Sequence, residues 1–185
     1  MNKLFSSLLL VALLAAGCKK DDPEAGLPPA THEGKNTGGC LINGERFVAA
    51  EYGGSLLSNP TPALSGGFAF GSVYYVSLNG QYKGQRATIL LFLRTRVAGI
   101  YQLNQNTQYY PQGDPLIILS HATFTISGSG GEVYVTDAQH TGQVTLTRMD
   151  KPADISAGTF EFTAVSTFDP TKTITITSGR FDRKQ

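Results

Sequence analysis

Asp137 and His140 stand three residues apart in "TDAQHTG", the nearest the sequence comes to a reactive pair. Asp-x-x-His can supply two metal ligands, but zinc takes three or four of defined spacing, and no further Cys, His or carboxylate clusters around these two. The pattern instead predicts a hairpin turn between Tyr134 and Val144, capped by Asp137 and closed by Gly142. His32 lies among Pro, Gly and charge, and His121 sits in the strand-like "LSHATF". Ser127 and Ser129 in "ISGSGGE" lack both the Gly-x-Ser-x-Gly pattern and the helix that a nucleophile elbow requires, so they read as turn residues. Glu45, Glu51, Glu132 and Glu161 are scattered singly and offer no pair for two-carboxylate acid–base work. The sequence therefore predicts no catalytic residue, no metal and no cofactor, and a chain that is not an enzyme. Were it a hydrolase, His121 or His140 would have to be its base.

The cysteines are more informative. Lys3 is followed by Leu4 to Gly17, an apolar run broken only by Ser6 and Ser7, and the run stops at Cys18 with "KKDD" directly behind it. As a helix it would span roughly 20 Å against a hydrocarbon core of ~30 Å, so it reads as a signal peptide rather than a membrane span. Ala15-Ala16-Gly17-Cys18 resembles the bacterial lipobox, with Ala15 where a branched aliphatic is more usual. The resemblance implies lipid attachment at Cys18: a thioether-linked diacylglycerol and an amide-linked acyl chain, enough for stable anchoring at ~0.8 kcal/mol per buried methylene. The expected partner is membrane lipid. The expected location is the bacterial cell envelope, lipid-anchored at the outer membrane, on its surface-exposed or its periplasmic face. With Cys18 so used, no intramolecular disulfide remains for Cys40, which is predicted to be a small buried hydrophobe at a strand start.

Lys3 is the one charged residue before Cys18, so the chain from there on carries fourteen basic and fourteen acidic side chains. No basic stripe exists, and nucleic acid is excluded as a partner. One aromatic feature stands out. Tyr74, Tyr75, Tyr82, Tyr101, Tyr109 and Tyr110 cluster, and Tyr109-Tyr110 sit in an Asn/Gln-rich loop. Tyr101, Tyr109 and Tyr110 are therefore the candidate ligand-binding residues, able to stack on a sugar ring if the three form one exposed platform. Alternating tyrosines on strands also serve as half-buried sheet packing. The leading expectation is a non-enzymatic structural or interaction domain with an envelope protein partner. The alternative is a carbohydrate- or small-ligand-binding module using the 101–113 region.

These residues need a scaffold, and its organisation reads in three parts: a signal peptide over 1–17, a lipidated cysteine with a flexible tether over 18–39, and a single domain over 40–185. The tether, rich in Pro, Gly and charge, would have a root-mean-square span of roughly 25 Å. The domain shows no helical period. It shows period-two alternation broken by turns, which predicts an all-β fold. Asn43-Gly44 marks a tight hairpin. Strands are expected near 72–78 and 86–94 around a Gly-rich turn. Val133 and Val135 are expected inward, as are Val144 and Leu146, Phe160, Phe162 and Ala164, and Ile174 and Ile176. About nine strands imply an antiparallel two-sheet β-sandwich, with a closed up-and-down β-barrel as the alternative.

"INGERFVA", "GQVTLTRMDKPADISAGTFEFTA" and "TITITSGRFD" resemble an uncharacterised family of Bacteroidetes-type lipoproteins with an all-β domain of unknown function. The shared pattern is an Asn-Gly turn followed by an aromatic (here Phe47), a Gly-Thr-Phe-x-Phe strand and a closing Gly-x-Phe. "KKDD" likewise resembles the surface-export signal of such lipoproteins. The resemblance implies fold and location and brings no catalytic residues.

Overall fold

The computed structural model describes residues 22–69, 71–128 and 130–184. Cys18 with the run before it and Ser129 lie outside the described residues. The strands are β1 (Thr37–Ile42), β2 (Glu45–Val48), β3 (Leu64–Ala69), β4 (Val73–Tyr82), β5 (Gln85–Leu93), β6 (Gly99–Leu103), β7 (His121–Ser127), β8 (Glu132–Val135), β9 (Gly142–Asp150), β10 (Ile155–Ser166) and β11 (Thr173–Lys184). No helix occurs among the described residues.

The all-β, antiparallel expectation holds, with eleven strands rather than about nine. They belong to one sheet in the order β2-β1-β11-β10-β8-β7-β5-β4-β3, and β6 joins through β9 to β10. This sheet curls into a half-barrel, so the layers that face each other are continuous rather than separate. Its longest strands are β10 and β11, each twelve residues. Their register shifts between Phe160 and Phe162 opposite Ser178, which takes φ 53°. Gly179 completes this bulge: a Cβ there would lie 2.5 Å from the Phe160 ring. The two ends of the curl meet where Ala49 bridges Gly80 and the Ala50 N–H donates to Asn79 O at 2.8 Å.

Inside the curl lies one core, with Phe47, Tyr74, Leu78, Phe124, Phe160, Phe162 and Phe181 among its largest members. Cys40 is part of it, and burial raises its thiol far above the ordinary value. Val144, Leu146, Phe160, Phe162, Ala164, Ile174 and Ile176 point inward as expected. Tyr74 is wholly enclosed; its hydroxyl donates to Ser156 Oγ at 2.8 Å, and burial pushes its pKa up to about 12.

Three local expectations are corrected. β4 runs past its expected end at 78 to Tyr82, so the Gly-rich turn narrows to Lys83-Gly84, with φ of 51° and 76°. Asn79 is 5 % exposed, donates to Pro62 O at 2.9 Å and accepts from the Thr88 hydroxyl at 3.0 Å, while Gly80 gives way to the approaching Val48 carbonyl. On β8 the inward residue is Tyr134, opposite Phe124; Val133 and Val135 face out. The tyrosine sets the phase because its ring fills the core while its hydroxyl reaches Glu132 at the edge. Finally, residues 137–140 are capped by Asp137 but do not close a hairpin. β8 and β9 lie end to end on the same edge of β10, at Val165–Ser166 and at Ile155–Phe162. The turn residues signal a break in the strand, and the shared partner keeps its direction.

The segment read as a tether is fastened to the domain over its described part. Asp182, 1 % exposed, accepts from the Thr31 hydroxyl at 2.6 Å and from the N–H groups of Glu33, Gly34 and Lys35 at 3.0, 2.6 and 3.2 Å. Burial alone would raise its pKa, but these four donors together hold the carboxyl below its ordinary value. The Arg148 guanidinium donates to His32 O at 2.7 Å, Asn36 Oδ1 accepts from the Lys184 N–H at 2.8 Å, and β1 begins at Thr37. Composition misses this because the strap buries little apolar surface. It is held through its backbone by a carboxylate some 150 residues away in sequence.

Candidate ligand-binding groove

On the outer face of β4, β5, β7 and β8 the register lines up three cross-strand rows. Tyr75, Phe92 and His121 make the first; Ser77, Leu90, Thr123 and Val135 the second; Asn79, Thr88, Thr125 and Val133 the third. Neighbouring strands are ~4.8 Å apart, so an aromatic row borders two rows of hydroxyls and aliphatics. Segment 104–120 folds over the aromatic row.

His121 holds that segment. It is completely buried; its Nε2 accepts from the Tyr110 N–H at 3.0 Å and its Nδ1 donates to Leu119 O at 2.8 Å. That pattern requires the neutral Nδ1–H tautomer, and burial lowers the pKa in the same direction. Phe92 stacks with His121 at 5.0 Å and 23° and with Tyr110 at 5.6 Å and 26°. Val73, Phe92 and Ile118 form a second small core there, with Tyr75 and Tyr110 against it. The Arg94 guanidinium donates to Leu116 O and Ile118 O at 3.0 and 3.1 Å, and the Leu119 N–H donates to Thr107 Oγ at 3.0 Å. The segment is polar up to Pro115 and apolar over Leu116–Leu119, and both parts are bonded to the domain.

Between the segment and the strands lies a groove of about 340 Å³. Its floor is Tyr75, Ser77, Thr88, Leu90, Thr123, Thr125 and Val133, and its overhanging wall is Tyr109, Tyr110, Pro111 and Gln112. Tyr75 and Tyr110 are tilted by 41° with centroids 6.0 Å apart. No lining side chain carries a charge. Small-ligand sites typically enclose ~300–1,000 Å³ of mostly apolar surface with a few convergent polar groups, and this groove fits that description at the small end.

Of the three predicted binding tyrosines, two meet here and one does not. Tyr109 and Tyr110 line the groove half-buried. Tyr101 on β6 packs against the main core, its hydroxyl donating to Val97 O at 2.7 Å and bonded to Thr95 Oγ. The single exposed platform does not form. Its third ring is replaced by Tyr75, which the Tyr74-Tyr75 pair could have indicated: one of two adjacent strand tyrosines must face out, and Tyr74 faces in.

Both His121 nitrogens are committed to backbone partners. His140 Nδ1 lies 3.0 Å from Asp137 Oδ1 in the turn, and the same carboxylate oxygen accepts the Gln139 and His140 N–H groups. Among the described residues, no three His, Cys, Asp or Glu side chains gather to hold a metal.

A family profile for a domain of unknown function, DUF6252, matches residues 69–183. The chain belongs to the DUF6252 family. The DUF6252 match takes in every residue that lines the groove, and also Asp182, but neither β1, β2 nor the strap. Neither the curated proteins nor the solved structures provide a match to the chain.

Proposed function

We propose that the chain is an envelope lipoprotein of Bacteroidetes type, anchored at the outer membrane by lipid on Cys18, and that its DUF6252 domain is a non-enzymatic module binding a small ligand in the Tyr75–Tyr109–Tyr110 groove. One observation carries the binding reading: segment 104–120 is bonded to the sheet through His121 and Arg94, so the groove exists before any ligand arrives. Preorganisation of this kind removes ordering cost from binding. The location rests on the sequence, where the apolar run ends at a cysteine preceded by small residues.

Two variants of the full-length protein test the reading. Cys18→Ser should lose incorporation of labelled fatty acid and leave the membrane fraction; retention there contradicts the anchor. Thr125→Trp places a large ring in the groove from an outward-facing position. The wild type should gain thermal stability with a dialysable small-molecule extract of the envelope, and Thr125→Trp should not. Equal gains in both, or none in either, contradict the groove as the binding site.

A further inference from the structure

Resting on the small-ligand reading above, we infer that the groove takes one ring of an uncharged saccharide, its C–H face on the tyrosines and its hydroxyls on the threonine rows. The walls exclude the other ligand classes one by one. An anion such as a phosphate or carboxylate needs a cation or a cluster of N–H donors, and no Lys, Arg or His lines the groove; Arg94 is spent on the carbonyls of Leu116 and Ile118. A cation needs carboxylates, and none is present. An acyl chain would cover the hydroxyls of Ser77, Thr123 and Thr125 with nothing to bond them. A nucleobase needs donors and acceptors in the plane of its edge, and Gln112 is the one lining side-chain amide.

A sugar ring matches what is left. Its C–H face carries slight positive charge and sits well on the negative face of an aromatic ring. Tyr75 and Tyr110, tilted by 41°, make an angled wall for it rather than a flat shelf. Its equatorial hydroxyls point sideways from that face, towards the outward hydroxyls of Thr125 and Thr123 and, opposite Thr125 at the ~4.8 Å strand spacing, the Thr88 Oγ, which can still accept although its proton goes to Asn79 Oδ1. The absence of charge in the walls makes the site selective. A uronic or sialic acid would lose the hydration of its carboxylate and find no counter-charge.

The test uses full-length protein in a detergent without a sugar headgroup. The probes are neutral oligosaccharides of glucose, mannose, galactose and xylose, their uronic acid counterparts, and nucleosides. Binding is read by saturation-transfer NMR and by tyrosine fluorescence, which no tryptophan obscures in this chain. At least one neutral saccharide should bind, with its ring C–H protons receiving the transfer, and uronates and nucleosides should not. Tyr75→Ala and Tyr109→Ala should each weaken binding about tenfold. Thr125→Val, which removes a hydroxyl and leaves the shape, should weaken it about threefold. Tyr101→Phe should leave it unchanged. Circular dichroism and the melting curve identify any variant that fails to fold, and Thr125→Val then decides. Preferential binding of a uronate or nucleoside overturns the saccharide inference, as does binding that ignores Tyr109→Ala and Thr125→Val. If no probe binds but the envelope extract still stabilises the wild type and not Thr125→Trp, the inference falls while the groove reading stands. If the extract also fails, both fall.

Discussion

Two segments without regular structure, 22–36 and 104–120, read alike in sequence and are held in different ways. Each contains proline and glycine, and a buried ionisable side chain bonds its backbone. The strap is held by a charged group: Asp182 accepts four hydrogen bonds and little apolar surface is involved. The overhanging loop is held by a neutral one: His121 gives one bond and takes one, on top of a small apolar core of Val73, Phe92 and Ile118. A charge can organise a strap that packing could not. An aromatic stack can leave a hollow beside it that a charge would have filled with water.

Perturbing the two holds separately should divide them. Phe92→Ala removes the ring that stacks on both His121 and Tyr110, and a buried phenylalanine costs ~3–5 kcal/mol on truncation. The melting temperature should fall by many degrees, and the loop, not the strap, should become the first site of proteolysis. Asp182→Ala should cost ~2–4 kcal/mol, since it leaves N–H groups of the strap without their charged acceptor. Limited proteolysis should then cut near residues 31–36 while amide exchange in β5 and β7 is unchanged.

Acid should separate the holds without mutation. His121 has a lowered pKa, so the folded chain binds fewer protons than the unfolded one. Its contribution is complete above the unfolded value of ~6.5 and is lost as pH falls through the lowered folded value. Asp182 is lowered as well, and its contribution is complete above ~3.9 and lost as pH falls through its own folded value. The protection factor of the Tyr110 amide, its exchange rate relative to an open chain at the same pH, should therefore fall at milder acidity than that of Gly34. The reverse order would contradict the two assignments. The smallest effect belongs to Glu24, whose exposed carboxylate pairs with Arg180 and Ser178. Glu24→Gln should leave the melting temperature unchanged within error, as exposed pairs do.

What the sequence disclosed follows what its patterns encode. Alternation in "GTFEFTAVS" and "TITITSGRFD" places Phe160, Phe162, Ile174 and Ile176 correctly because each strand has one buried face. Asn43-Gly44 places a turn correctly because its geometry is local, with φ of 49° and 81°. Asn79-Gly80 carries the same letters but stays within β4, where β2 approaches it from the far edge of the sheet. Val133 misleads because alternation gives a period without a phase. The groove was half legible. Tyr109 and Tyr110 stood out by type and setting, but Tyr75 and the threonine rows enter through register, and His121 acts through bonds to a loop eleven residues back. The strap was illegible for the same reason: Asp182 in "GRFDRK" has nothing near it in sequence to suggest four donors.

The central claim is that segment 104–120 is already held over the sheet in the free protein, so that the groove is preformed. Native-state hydrogen exchange of the Tyr110 amide at neutral pH tests it most directly. This amide lies outside every strand and donates to His121 Nε2. The account predicts slow exchange in the unliganded wild-type protein and fast exchange in His121→Ala. Exchange in the wild type at the rate of an open chain would contradict it, and the groove would lose its wall.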